Sequence, residues 1–301
     1  MKVTNSKISK RNGFAMNQLI KIFCEIDDYC KEYETNNQKL LCDEECKNIN
    51  YRTSMALSEI MTIVIYFHQS KYRNFKSYYK CMILGILKPY FPKSVSYNRF
   101  VEIMNLALIP LLLYTMKYTF GKCDGLSFID STPLISCKYQ RRYSHKVMKD
   151  YADIGKTSTG WFYGMKLHLI INGNGEILSF CLTPGNVSDV NEEVIDKLTK
   201  NIFGKLIGDK GYISEKIFKK LFDKNITMIT KVRKNMKNKL VNIDDKMFLK
   251  KRAVIESVNN ILKNICQIDH TRHRSPINFF VNLISGIVAY SFISKKPSIF
   301  I

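Results

Sequence analysis

Acidic residues are scarce in this chain: 26 Asp and Glu stand against 47 Lys and Arg in 301 residues, for a formal charge of +21. That excess is larger than solubility requires, and it suits a polyanionic partner such as DNA, RNA or an anionic membrane surface. Long apolar runs are also lacking. The greasiest stretch, LALIPLLLYTM at Leu106 to Met116, falls short of the roughly 20 residues that span a bilayer, and Pro110 interrupts it. The N-terminal MKVTNSKISKRNG has no apolar signal core. These absences put membrane behind nucleic acid and lead us to expect a cytoplasmic protein, with its nine irregularly spaced cysteines as reduced thiols.

Other familiar patterns are incomplete. GKT at Gly155 to Thr157 ends like a phosphate-binding loop, but Asp150 stands where the earlier glycine is required, so no nucleotide cofactor is expected. Cys266, His270 and His273 have metal-like spacing without a fourth ligand, and Cys42 and Cys46 have no second pair. RHRS at Arg272 to Ser275 reads instead as a DNA-facing turn. There is no internal repeat or low-complexity tract.

What the chain does have is 46% hydrophobic and 12% aromatic residues, enough for real cores. Met16 to Tyr33, Leu57 to His68, Phe75 to Leu87 and Tyr97 to Phe120 carry apolar residues at three- and four-residue steps, which predicts a helical domain over residues 1–120. Over 121–301 the pattern changes to short apolar runs. LSFID, WFYGMKLHLII and EILSFCLTP read as strands, the last two joined into a hairpin by NGNG at Asn172 to Gly175. A helix from about Val190, capped by Asp189, is followed by a strand KLIGD, a helix Ser214 to Lys224, a strand ITMIT and two C-terminal helices. This order predicts an α/β domain, a mixed sheet flanked by helices.

Two aspartates close apolar runs in this second half, Asp130 after FI and Asp209 after LIG, and ligands of open α/β sheets bind beyond the carboxyl ends of strands. In KKRAVIESVNNILKN, a straight helix at 100° per residue puts Glu256 within about 40° of both Arg252 and Lys263. Val254, Val258, Ile261 and Ile265 then form the opposite, buried face. Alone, Arg252 and Glu256 would be a surface ion pair contributing a few tenths of a kcal/mol. Three carboxylates in a strongly basic chain also supply the oxygen ligands Mg²⁺ takes when it binds substrate phosphates.

FIDSTP at Phe128 to Pro133, the run GWFYGMKLH at Gly160 to His168, LTPGNVSD at Leu182 to Asp189, GDKGY at Gly208 to Tyr212, and Arg252, Glu256 and Lys263 in an R-x3-E-x6-K arrangement together resemble the DDE transposases of bacterial insertion sequences. The resemblance implies a ribonuclease-H-like catalytic domain in which Asp130, Asp209 and Glu256 are catalytic and hold two Mg²⁺ ions, with Mn²⁺ as a substitute. It also implies cleavage at the element's ends and strand transfer into target DNA, by a homodimer on double-stranded DNA associated with the nucleoid. The family's fullest signature has a tyrosine three residues before the arginine, where this chain has Leu249. Only 46 residues separate Asp209 from Glu256, which leaves little room for a large insertion domain and disfavours a hairpin-forming route.

For DNA contacts the candidates are Arg252 and Lys263 beside Glu256, Arg141 and Arg142 in the acid-free run Lys138 to Lys149, Lys210 beside Asp209, and Arg272 and Arg274. Competing readings are a DNA-binding protein that has lost its chemistry, and a nuclease without strand transfer.

Overall fold

The computed structural model describes residues 2–40, 53–157, 160–231, 242–269 and 273–299. These divide into two compact units, one running up to Tyr118 and including Ile265–Phe292, the other Thr119–Asn264 with Ile293 onward.

The first unit is helical. Its helices are α1 (Lys2–Leu40), α2 (Leu57–Phe67), α3 (Phe75–Tyr78, continued by a π-helical stretch Tyr79–Ile86), α4 (Tyr97–Ile103) and α5 (Leu108–Tyr114). In α1, Leu19, Ile22, Ile26, Tyr29 and Cys30 repeat at helical spacing and are buried. Helix α2 is apolar on all sides, as expected of a helix with neighbours all round, and Ile60 to Phe67 are buried throughout.

The expectation that Pro110 breaks the apolar stretch around it does not hold. Residues Tyr97–Thr119 form a continuous 23-residue helical rod, long and apolar enough by length and composition to cross a membrane. A 3₁₀ turn at Met104–Ala107 precedes α5, and Pro110 is the third residue of α5, where a missing N–H forfeits no bond within that helix. In this unit Phe100, Ile103, Met104, Ala107, Leu111 and Tyr114 are buried, and the Pro110 carbonyl accepts from Tyr29 Oη at 2.9 Å.

The sequence reading gave everything after residue 120 to the catalytic domain. The helix Pro276–Ser291 belongs instead to the helical unit, packing on α2 and α5. Its apolar residues from Val281 to Tyr290 are buried, which a one-sided surface helix could not achieve. His68 is buried there, its Nδ1 bonded to the Cys266 carbonyl and its Nε2 2.9 Å from Ser285 Oγ. Burial pushes the Cys266 thiol up to about 12, and His270 lies outside the described residues.

The second unit is a mixed sheet of β1 (Leu126–Lys138), β2 (Asp153–Thr157), β3 (Gly160–Asn172), β4 (Ile177–Pro184), β5 (Gly204–Gly208) and β6 (Ile226–Thr230). Strand β3 is antiparallel to β1 on one edge, and its other edge is shared by β2 and β4. Strands β5 and β6 extend the sheet in parallel beyond β1. Four strands paired antiparallel, β1 to β4, with β5 and β6 added in parallel, form the mixed sheet flanked by helices that was expected. The NGNG turn works as predicted: Asn172 Oδ1 accepts from the N–H groups of Asn174 and Glu176, each at 3.0 Å, and Gly175 takes a φ of 73°.

GKT, the failed phosphate loop, is part of β2. Helices α6 (Glu192–Leu198) and α7 (Glu215–Phe222) bury Val194, Ile195, Leu198, Ile217 and Leu221 over Ile129, Ile170 and Leu206. Each such side chain contributes about 1.5–3 kcal/mol of transfer free energy. Helix α8 (Ile243–Lys251) packs on β5 and β6, and α9 (Ala253–Asn260) packs on β1.

Candidate active site

Strand β1 pairs with β5 in parallel up to Phe128 and Ile207, and Asp130 and Asp209 each follow the end of that pairing by two residues. Gly208 is closely surrounded by side chains there. A Cβ there would lie 2.5 Å from Met228 Cε and 3.1 Å from Ile129 Cγ2. The chain then leaves the sheet, and Asp209 precedes the 3₁₀ turn Lys210–Tyr212 in an exposed position. Asp130 is not at a strand end as expected, because β1 continues to Lys138 along β3. It sits where the parallel partner stops, which opens one side of the strand.

Helix α9 brings the third acid. Asn259 Nδ2 donates to Asp130 Oδ2 at 3.0 Å, so α9 lies on the sheet face toward which Asp130 projects. Arg252, at the joint between α8 and α9, has Nη2 2.7 Å from Glu256 Oε1 and Nη1 3.7 Å from Asp130 Oδ1. The guanidinium therefore bridges two of the three carboxylates, and its buried Nη1 has no hydrogen-bond partner among the described residues. The ordinary Arg252–Glu256 ion pair is formed, and it is also part of this cluster.

Burial raises the Asp130 carboxyl to about 6; Arg252 pulls it down, and the negative charges of Glu256 and Asp209 push it further up. Both other acids thus act electrostatically on Asp130. Among the described residues, no group of three His, Cys, Asp or Glu side chains is close enough to hold a metal ion as it stands. Like charges hold carboxylates apart unless a cation lies between them, and here that cation is Arg252.

Behind the cluster is a network whose members sequence reasoning did not connect. Because strand residues alternate, Ser131 faces away from Asp130 and lies opposite His168 on β3, with Pro133 opposite Lys166. Asp189 was expected to cap a helix. Its Oδ1 instead accepts from Ser131 Oγ at 2.8 Å and from Lys166 Nζ at 3.2 Å, and the cap of α6 is Asn191, whose side chain accepts from the Val194 N–H. Lys166 also donates to the Val187 carbonyl at 2.9 Å. His168 is fully buried, with Nε2 2.9 Å from Thr183 Oγ1, and burial lowers its pKa to about 4. The alternating K-x-H of β3 and the D of LTPGNVSD were the available signals; neither predicts a partner without the β1–β3 register.

The family model described as the transposase DDE domain matches residues 120–276, a span that includes Asp130, Asp209 and Glu256. This chain belongs to that transposase family. A search of curated proteins finds no match. Among solved structures, the transposase-family chain is similar to the piggyBac transposase synaptic complex with hairpin DNA, at 13% identity and a TM-score of 0.40. That alignment covers 68% of this chain and 53% of the other, so this chain spans about half the length of that protein.

The proposed DNA contacts of this transposase-family chain divide into three groups. Arg252 reaches the acids. Lys263 reaches β1, where its Nζ donates to the Pro133 carbonyl at 2.5 Å. The helix is not straight up to that point: residues Ile261–Ile265 are π-helical, with more residues per turn, which retards the phase. For the same reason Leu262 and Cys266 are buried where Ile261 and Ile265 had been expected, and Ile265 is 55% exposed.

The second group is local to the turn Tyr139–Ser144. Arg142 is stacked 4.0 Å from the Tyr139 ring and 4.1 Å from the Tyr143 ring, while Arg141 and, farther along the chain, Lys210 are exposed. The third group falls in the helical unit, where Arg274 is exposed; Arg272 lies outside the described residues. Leu249, at the signature tyrosine's position, is buried in α8 and offers no polar group.

Proposed function

We propose that this chain is a metal-dependent DNA transposase that cleaves DNA at the ends of an insertion sequence and joins the freed ends to target DNA. The observation that carries the reading is Asp130, a largely buried carboxyl raised by burial and by the charges of Asp209 and Glu256. A site that gathers negative charge in a chain of net +21 is suited to a cation on one side and a polyanion on the other.

The residues fit two Mg²⁺ ions, or Mn²⁺, by donor chemistry: Asp130, Asp209 and Glu256 are hard oxygen ligands, and Arg252 already brings positive charge between two of them. When bound, such ions activate the attacking oxygen and stabilise the leaving one in an in-line displacement at phosphorus. The chain's own groups do the rest. Asn259 fixes the orientation of the Asp130 carboxylate through Oδ2. Arg252, with its spare Nη1 donor, is free to turn from carboxylate to DNA phosphate. Lys263, Lys210, Arg141 and Arg142 supply further positive charge along the strand, and Arg274, with Arg272, does so from the helical unit.

The helical unit, in this reading, recognises the terminal repeats or pairs two copies on DNA. The protein works in the bacterial cytoplasm, on the nucleoid. Product analysis tests the assignment: with labelled end DNA, unlabelled target and Mg²⁺, the full chain should yield donor ends joined to target. Hydrolysis alone would reduce the protein to a nuclease, and neither product on the element's own ends would refute the chemistry.

A further inference from the structure

The helical unit contains a cavity of about 810 Å³ that the acid cluster does not use. Its walls come from three helix beginnings: Arg73 to Lys76 at the start of α3, Tyr97 and Asn98 at the start of α4, and His273 and Arg274 ahead of the helix Pro276–Ser291. Arg73, Lys76, Asn98 and Arg274 are exposed, so the cations stand at the rim, while Phe75 and Tyr97 are half-buried deeper in the wall. Lys76 Nζ lies 5.7 Å from the Tyr97 ring. The one acid in the lining, Glu102, is held by Arg99 at 2.8 Å and does not offset the rim cations. Burial lowers the His273 pKa to about 4, so that ring is a neutral aromatic edge at neutral pH.

Cations at a rim with aromatic rings and amides behind them are the combination that binds a nucleic-acid strand, phosphates outside and a sugar or base against a ring. The size falls in the roughly 300–1,000 Å³ range of sites that enclose a ligand. We propose that this cavity is a DNA-binding site of the helical unit, in which Arg73, Lys76 and Arg274 meet phosphates of one strand and Tyr97 stacks against it. The inference rests on DNA being the substrate, but not on the cleavage chemistry. A surface that only kept the protein soluble would have no reason to place three cations around an aromatic cavity.

The test is fluorescence anisotropy of labelled DNA carrying the element's terminal sequence, with the full chain in EDTA so that no cleavage contributes, repeated across a salt series. Each lost phosphate contact should lower the slope of log affinity against log salt by about 0.9, so Arg73→Ala/Lys76→Ala/Arg274→Ala together should lower it by roughly 2.7. A control with the same charge change, Lys21→Ala/Lys31→Ala/Lys80→Ala, uses side chains that do not line the cavity and should leave the slope nearly unchanged. Tyr97→Leu keeps the charge and should weaken binding about fivefold or more at an unaltered slope.

Equal slopes for the two triple variants would overturn the proposal, since bulk charge would then explain the binding. A cavity variant that binds DNA normally but changes the sedimentation of the free protein would overturn it in favour of a contact between copies. Thermal melting of each variant confirms folding. Because metal and cleavage are excluded, failure of the catalytic assignment leaves this result standing, and the reverse also holds.

Discussion

Replacing Asp130 with asparagine should stop DNA cleavage and, at the same time, make the metal-free protein more stable near neutral pH. Burial raises this carboxyl from 3.8 to about 6. The folded state therefore holds the proton more tightly than the unfolded chain does. Its contribution to stability is fully present below pH 3.8 and is lost as pH rises through 6. The difference of about two pH units corresponds to about 3 kcal/mol at pH 8, of which about half applies at pH 5. Asparagine keeps the shape, still offers an oxygen to Asn259, and removes the ionisation.

Calorimetry in EDTA should show Asp130→Asn melting about 6 °C or more above the wild type at pH 8, with the gap narrowing markedly at pH 5. A variant less stable than the wild type at pH 8, or a gap independent of pH, would refute the reasoning, because the carboxylate would then be stabilised by its surroundings. The same variant should bind end DNA at close to normal affinity.

Three histidines, His68 and His168 buried and His273 partly so, titrate with the opposite sign. His68, His168 and His273 are each lowered to about 4 by burial, so the stability they contribute is present above pH 6.5 and lost as pH falls through 4. The urea midpoint should drop across that window, and His68→Asn should flatten the drop; a midpoint constant from pH 6.5 to 4 would contradict the burial argument. Asn259→Leu removes the donor to Asp130 and should slow cleavage about tenfold or more in protein that still folds, whereas an unaltered rate would show that Asp130 is oriented by something else. Gly164→Ala would set a Cβ 2.1 Å from the Leu134 carbonyl oxygen across the β1–β3 pair, and it should cost about 3 kcal/mol in chemical denaturation. An unchanged denaturation midpoint would mean that the strands can part there without loss.

Periodicity was enough to read a helical first part and a mixed-sheet second part, because apolar steps of three and four give way to short apolar runs around Leu126, and because NGNG admits few conformations other than a tight turn; it missed β2 and the length of β1. The three acids were singled out for a related reason: two follow apolar runs and one lies on an amphipathic helix. The failures are all non-local or subtle in phase. No local pattern assigns Pro276–Ser291 to the helical unit, since its all-round apolar surface shows only that it is buried. The π-helical turn at Ile261–Ile265 shifts the face carrying Lys263, and a straight-helix projection has no means of anticipating it. Asp189 has the composition of a helix cap, and only the pairing of β1 with β3 brings Ser131 and Lys166 to it. Asn259 went unnoticed because its partner, Asp130, lies 129 residues away in the sequence.

The central claim, that Asp130, Asp209 and Glu256 act as one metal-binding set on DNA, is tested most directly by single-turnover cleavage of end DNA in Mg²⁺ by Asp209→Asn and Glu256→Gln. Both residues are exposed, so neither change threatens the fold. The account predicts that each variant binds the DNA within a few-fold of the wild type and yields neither nicked nor joined product; cleavage by either variant at the wild-type rate would contradict it.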